Sequence, residues 1–239
     1  MVANKRSESF NKDLIYLSEE CFSSSISFRS FGSSEKKAIS EAETKPDAKK
    51  GLVATLKSME MSKVRENPLC VDTGWPIFYF IVGNECEIEG GFKELENATR
   101  RAVAKATDKG YIRATMKHPL TGYDPGNNVG ENIPDFTYKF VDGKDLEVIY
   151  VAKGGGSECF GGTRHKVIAY ADGVEGIKKF VVDCFVASTR AGAICPPSVL
   201  GVGIGGTANV AANLAKEAAC LRTVGSSHPE KAFNDIEKD

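Results

Sequence analysis

Apolar and polar positions along this chain repeat with two different periods, and each period predicts its own elements. From Ala48 to Val64, the residues Leu52, Val53, Leu56, Met59 and Met61 recur near helical spacing, and the pattern stops ahead of Pro68, so a helix is predicted there. Trp75 to Val82 is a short run of aromatic and β-branched residues, with Pro76 near its start, closed by Gly83-Asn84, the composition of a buried strand. Leu95, Ala98, Val103 and Ala106 mark a helix over Phe92 to Lys109, with Gly110 suited to its C-terminal cap. Asp145 to Val151 reads as a second strand, and Gly173 to Arg190 as a helix whose inward stripe is Ile177, Phe180, Val181, Cys184 and Phe185. Val199 to Ile204 is a short strand candidate. Thr207 to Leu221 is an Ala-rich helix capped by Thr207 or Asn209, and an acidic helical pattern starts after His228-Pro229.

The segments between these elements are of three kinds. His118-Pro119 and Asp124 to Gly130 are rich in turn formers and read as irregular backbone. Lys153 to Glu158 holds three consecutive glycines and predicts a sharp turn that exposes backbone amides. Residues 22–34 are Ser-rich and lack a helical period, which predicts an arm. No repeat is visible, so the expectation is an α/β or α+β fold. Residues 46–239 would form a single compact domain, a mixed sheet with surrounding helices, preceded by an irregular arm over residues 1–45.

Composition narrows the function classes. The 239 residues suffice for a substantial core, and 41% apolar with 26% charged residues is the ordinary range of a globular protein. Lys plus Arg number 31 against 32 for Asp plus Glu, a net charge of -1, so no overall basic field draws the chain to nucleic acid or to an anionic membrane. No stretch reaches the roughly 20 apolar residues of a membrane-spanning helix. The acids Glu8, Asp13, Glu19 and Glu20 argue against an organellar transit peptide, and a cytoplasmic location is expected. Seven cysteines, odd in number and scattered, fit reduced thiols or metal binding better than a disulfide framework.

Two of those cysteines are braced by proline: Cys70 in Pro68-Leu-Cys-Val-Asp-Thr-Gly74, and Cys195 in Cys195-Pro-Pro197, which runs into the glycine-rich Gly201 to Thr207. Proline fixes φ and removes an amide donor, so each thiol sits on a rigid backbone, as an iron-sulfur ligand requires. A buried packing cysteine is equally compatible with either position. Asp72 is placed to act on a substrate if Cys70 binds metal, and is otherwise an Asx-turn residue. Cys184 and Cys220 fall on helix faces among apolar residues and read as core. Gly201 to Gly206 matches a dinucleotide fingerprint only weakly, and His118, His165 and His228 lack metal-ligand spacing.

Taken together, Pro68-Leu-Cys70-Val-Asp72-Thr-Gly74, Lys153-Gly-Gly-Gly156-Ser-Glu158 and Cys195-Pro-Pro-Ser-Val-Leu-Gly-Val-Gly-Ile-Gly-Gly-Thr207 resemble the alpha part of class I fumarate hydratases and L-tartrate dehydratases over about residues 48–239. The resemblance implies a 4Fe-4S cluster with Cys70 and Cys195 among its ligands. It implies Asp72 as the catalytic and substrate-contacting carboxylate, Gly156 as a substrate-facing glycine and Arg113 as a substrate arginine. It further implies a small dicarboxylate substrate, malate and fumarate or alternatively tartrate, and a beta subunit that completes a hetero-oligomer or dimer. Val71 stands where the family usually carries Gln, and Cys159 where many members carry Asn. The family's third cluster cysteine belongs to a segment past Asp239, so the chain is expected to be a shortened alpha chain. From another class, the rival expectation is a non-catalytic iron-sulfur or scaffold protein of the same fold.

Overall fold

The computed structural model describes residues 33–65, 75–159, 162–192, 194, 198–223 and 225–239. Within them the order is α1 (Ser33–Ala42), α2 (Pro46–Arg65), β1 (Trp75–Gly83), α3 (Gly91–Asp108), β2 (Asp135–Val141), β3 (Leu146–Lys153), α4 (Gly155–Cys159), a 3-10 turn (Tyr170–Asp172), α5 (Gly173–Arg190), α6 (Ala208–Leu221) and α7 (Lys231–Lys238). The described residues therefore show the expected mixed class, helices together with a three-stranded mixed sheet. Contacts divide the chain into two compact units, one holding Lys37–Gly155 and the other Gly156–Asp239 together with residues 33–36, so the boundary falls within the run Gly154 to Gly156.

The first unit is built on β1. The sheet runs β2-β1-β3, with β1 parallel to β2 and antiparallel to β3. As the central strand, β1 is buried on both faces, which explains its continuous apolar run in place of an alternation. On one face Phe78 lies opposite Phe136 and Tyr150, with ring centroids 6.2 and 5.2 Å away, and Phe80 lies 5.2 Å from Tyr138. Those rings join Leu95, Ala98, Val103 and Ala106 of α3 in one core. These four are the helix positions that the apolar period selects, and Gly110 (φ 77°) ends the helix by donating its N–H to the Thr107 carbonyl.

The strand β2 is not among the elements expected from the sequence, although Phe136, Tyr138 and Phe140 alternate with Thr137 and Lys139 at a strand's period. Its link to β3 is only residues 142–145, and β1 lies between the two strands, so this link must cross the end of β1. It passes so close that a Cβ on Gly83 would sit 2.4 Å from the Gly143 carbonyl oxygen. The crossing is tied down by Gly83 N–H to Asp145 O (2.8 Å), Asn84 N–H to Val141 O (2.7 Å) and Glu85 N–H to Gly143 O (2.8 Å).

In the second unit, α5 occupies the interval expected for it, with Ile177, Phe180, Val181 and Cys184 half-buried while Phe185 is exposed. Thr207 holds the N-cap position of α6, but its hydroxyl bonds the Asn209 side chain and caps no backbone amide. Two expectations fail here. Lys153 to Glu158 does not form an open turn, because β3 runs on to Lys153 and α4 begins at Gly155. Val199 to Ile204 forms no strand: Gly201 and Gly203 approach the α6 backbone so closely that a Cβ on either would lie 2.0 Å from the Ala215 or Ala211 carbonyl oxygen. That packing accounts for these glycines without a nucleotide.

Candidate active site

Arg113 follows α3 on an irregular segment, and its surroundings explain how such a segment keeps one shape. The preceding residue, Ile112, is 4% exposed and inserted in the α3-sheet core. On the other side Asn128 is 1% exposed, with φ 57°, a left-handed conformation that Asn tolerates better than most residues. Its Oδ1 accepts the N–H groups of Thr115 (2.9 Å) and Met116 (3.2 Å), and its Nδ2 donates to the Arg113 carbonyl (2.9 Å) and to Thr107 Oγ1 (3.1 Å). Because two backbone donors face one atom of the carboxamide, that atom is its oxygen. Every hydrogen-bonding position of the Asn128 side chain is then used. Arg113 itself is exposed, while Thr115 Oγ1 is buried with no hydrogen-bond partner among the described residues.

The next turn, His118 to Tyr123, is self-contained. His118 Nδ1 accepts the N–H groups of Leu120 (3.3 Å) and Thr121 (3.1 Å), and its own N–H reaches the Tyr123 carbonyl (2.8 Å), so this histidine is a turn residue. On the other flank, Arg100 of α3 donates to the carbonyls of Gly130 (3.2 Å) and Ile133 (3.1 Å) while its guanidinium lies over the Phe136 ring. The segment between α3 and β2 is thus held at both ends and at its middle by side chains.

Gly156 belongs to the second unit and lies half-buried in α4. Two residues on, Glu158 accepts Lys216 Nζ of α6 at 2.7 Å, with side chains 15% and 27% exposed, so the short helix is tied to α6 by a largely sheltered ion pair. Cys70, Asp72 and Cys195, the remaining site residues expected from the sequence, lie outside the described residues.

The described cysteines do not fit a cluster by themselves. Burial pushes the Cys184 thiol up, partly offset by Arg164, and burial followed by the charges of Asp145 and Glu87 pushes the Cys86 thiol up, in each case away from the thiolate a metal needs. Cys159 is exposed at the C-terminal end of α4, and Cys220 is half-buried in α6. Among the described residues no group of three His, Cys, Asp or Glu side chains could hold a metal ion. Asn128, the best-anchored polar side chain at this site, was not singled out from sequence; its signal was an Asn inside the turn-rich Asp124 to Gly130 stretch, one that a turn alone explains.

Known proteins extend this picture. The family model described as fumarate hydratase (Fumerase) matches residues 18–239. The chain is 36% identical over 209 residues to the "Putative L(+)-tartrate dehydratase subunit alpha" of Methanocaldococcus jannaschii, which covers 85% of this chain and 71% of the relative. It is 34% identical over 203 residues to the L(+)-tartrate dehydratase subunit alpha of Escherichia coli strain UTI89, covering 84% of this chain and 64% of that protein, and 32% identical to the K12 protein over the same spans. The chain therefore belongs to the fumarate hydratase (Fumerase) family that includes the tartrate dehydratase alpha subunits.

Proposed function

We propose that this chain is the alpha subunit of a hydro-lyase that removes water from a 2-hydroxy diacid, working with a beta subunit. The observation that carries the reading is Arg113: a cation exposed on a backbone that Ile112 and Asn128 hold from two sides, of the chemistry that pairs with a carboxylate. Gly156, in this reading, offers its backbone amide to the substrate, and Asp72 supplies a carboxylate whose charge orients the substrate or moves its proton. Cys70 and Cys195 would hold a 4Fe-4S cluster, which when bound supplies a Lewis acid toward the substrate's hydroxyl. The names of the relatives favour tartrate as the diacid. The description of the family model favours the malate and fumarate pair.

The test is anaerobic reconstitution of the chain with a cognate beta chain, iron and sulfide, followed by assays of L-tartrate, L-malate and fumarate. Turnover of L-tartrate above L-malate is expected, with iron lost in Cys70→Ser and Cys195→Ser and kept in Cys86→Ser. Asp72→Asn should keep its iron and lose turnover by about 10²–10⁴-fold. No conversion of any of the three acids, together with equal iron in all cysteine variants, would overturn the reading.

A further inference from the structure

We infer that Asn128 is a positioning residue for the substrate arginine, setting the affinity of this site for a dicarboxylate through the backbone of Arg113 to Met116. The inference rests on the reading of Arg113 given above. A segment with no ladder of its own can hold a cation in place only if its backbone polar groups are bound to something rigid. Here the Arg113 carbonyl and the amides of Thr115 and Met116 all close on one carboxamide, so the backbone wraps around the Asn128 side chain. The same carboxamide reaches Thr107 Oγ1, within a hydroxyl's reach of the Val103 and Asn127 carbonyls at 2.9 and 3.2 Å, which ties the wrap to the last turn of α3.

The chemistry of the position is specific. The residue at 128 must adopt a left-handed backbone, accept two N–H groups with one atom and donate two hydrogens from the other. Aspartate matches the shape and the backbone but presents a second acceptor to the Arg113 carbonyl, so Asn128→Asp breaks the donor half of the wrap and leaves the acceptor half. A displaced arginine loses a charge-assisted hydrogen bond to the substrate, corresponding to about a 10- to 100-fold rise in KM, with kcat falling less.

The experiment uses the reconstituted complex at matched iron content, with L-tartrate and L-malate as probes. Arg113→Ala, Asn128→Asp, the double variant and Asn127→Ala are compared by KM and kcat, and by hydrogen exchange at the Thr115 and Met116 amides. The expected result is a raised KM in both single variants, no further rise when Asn128→Asp is added to Arg113→Ala, faster exchange at the two amides in Asn128→Asp, and an unchanged KM in Asn127→Ala. Asn128→Gly, which keeps the left-handed backbone and removes the carboxamide, carries the same comparison if the aspartate variant does not fold. A normal KM in Arg113→Ala would remove the substrate role of Arg113 and this inference with it. A raised KM in Arg113→Ala alongside a normal KM in Asn128→Asp, or effects that multiply in the double variant, would overturn the role of Asn128 and leave that of Arg113 standing. Failure of both Asn128 variants to fold would make the residue a determinant of the fold, which also overturns the assignment.

Discussion

The crossing of β1 by residues 142–145 makes a sharp prediction for Gly83→Ala. The added Cβ would lie 2.4 Å from the Gly143 oxygen, 2.6 Å from the Gly143 carbonyl carbon and 2.8 Å from the Lys144 nitrogen, where ordinary contact begins near 3.4 Å. All three atoms are backbone, so no side chain can swing aside and the link must retreat by about 1 Å. Retreat strains the three hydrogen bonds that hold the link to residues 83–85. Overpacking of this kind costs about 1–3 kcal/mol, and one broken hydrogen bond adds about 0.5–1.5 kcal/mol. Against these stands about 0.4–1 kcal/mol from the stiffer unfolded chain. A net loss of about 2–3 kcal/mol follows, read as a lower urea midpoint at constant m or as a Tm lower by about 4–12 °C. Gly143→Ala is the control: φ is +112° but no atom lies within 4 Å of the added Cβ, so only the backbone strain of about 1–2 kcal/mol applies. Unfolding of Gly83→Ala within about 0.5 kcal/mol of wild type would refute the close crossing.

Other perturbations read different parts of the chain. Gly51 lies inside α2 with open space around its Cβ position, so Gly51→Ala should stabilise the protein by about 0.5–1 kcal/mol in urea unfolding, and a loss of stability would show that this helix face is packed. The Tyr138 hydroxyl is pushed up to about 12 by burial and by Glu96, whose carboxylate accepts its hydrogen bond at 3.2 Å, with Arg100 acting in the opposite sense. Since the folded protein holds this proton more tightly than the unfolded chain, its stabilising contribution is intact below about pH 10 and is lost as pH climbs toward 12. Ultraviolet titration should show a late tyrosinate component that Tyr138→Phe removes, and an unchanged curve would contradict it.

Much of this protein was determined by patterns within ten or twenty neighbouring residues. The helices α2, α3, α5 and α6 and the strand β1 follow from apolar periods and from Gly or Pro at their ends, because each of these signals is local. The motifs around Cys70, Gly156 and Cys195 were likewise legible as a family resemblance, since each is a contiguous string of residues. What only the tertiary structure decided depends on pairs that are distant in the chain. Gly83 needs its missing Cβ because of Gly143, sixty residues on, a sequence separation that no period reports. Val199 to Ile204 carries a strand's composition, but its glycines lie against the backbone of α6, and that close approach excludes a sheet partner on the same side. Asn128 reads locally as one more turn residue. It becomes the centre of the Arg113 segment only because the fold brings a buried carboxamide to three backbone groups whose hydrogen bonds would otherwise be unmade, and the cost of leaving such groups unpaired is what holds that segment in one shape.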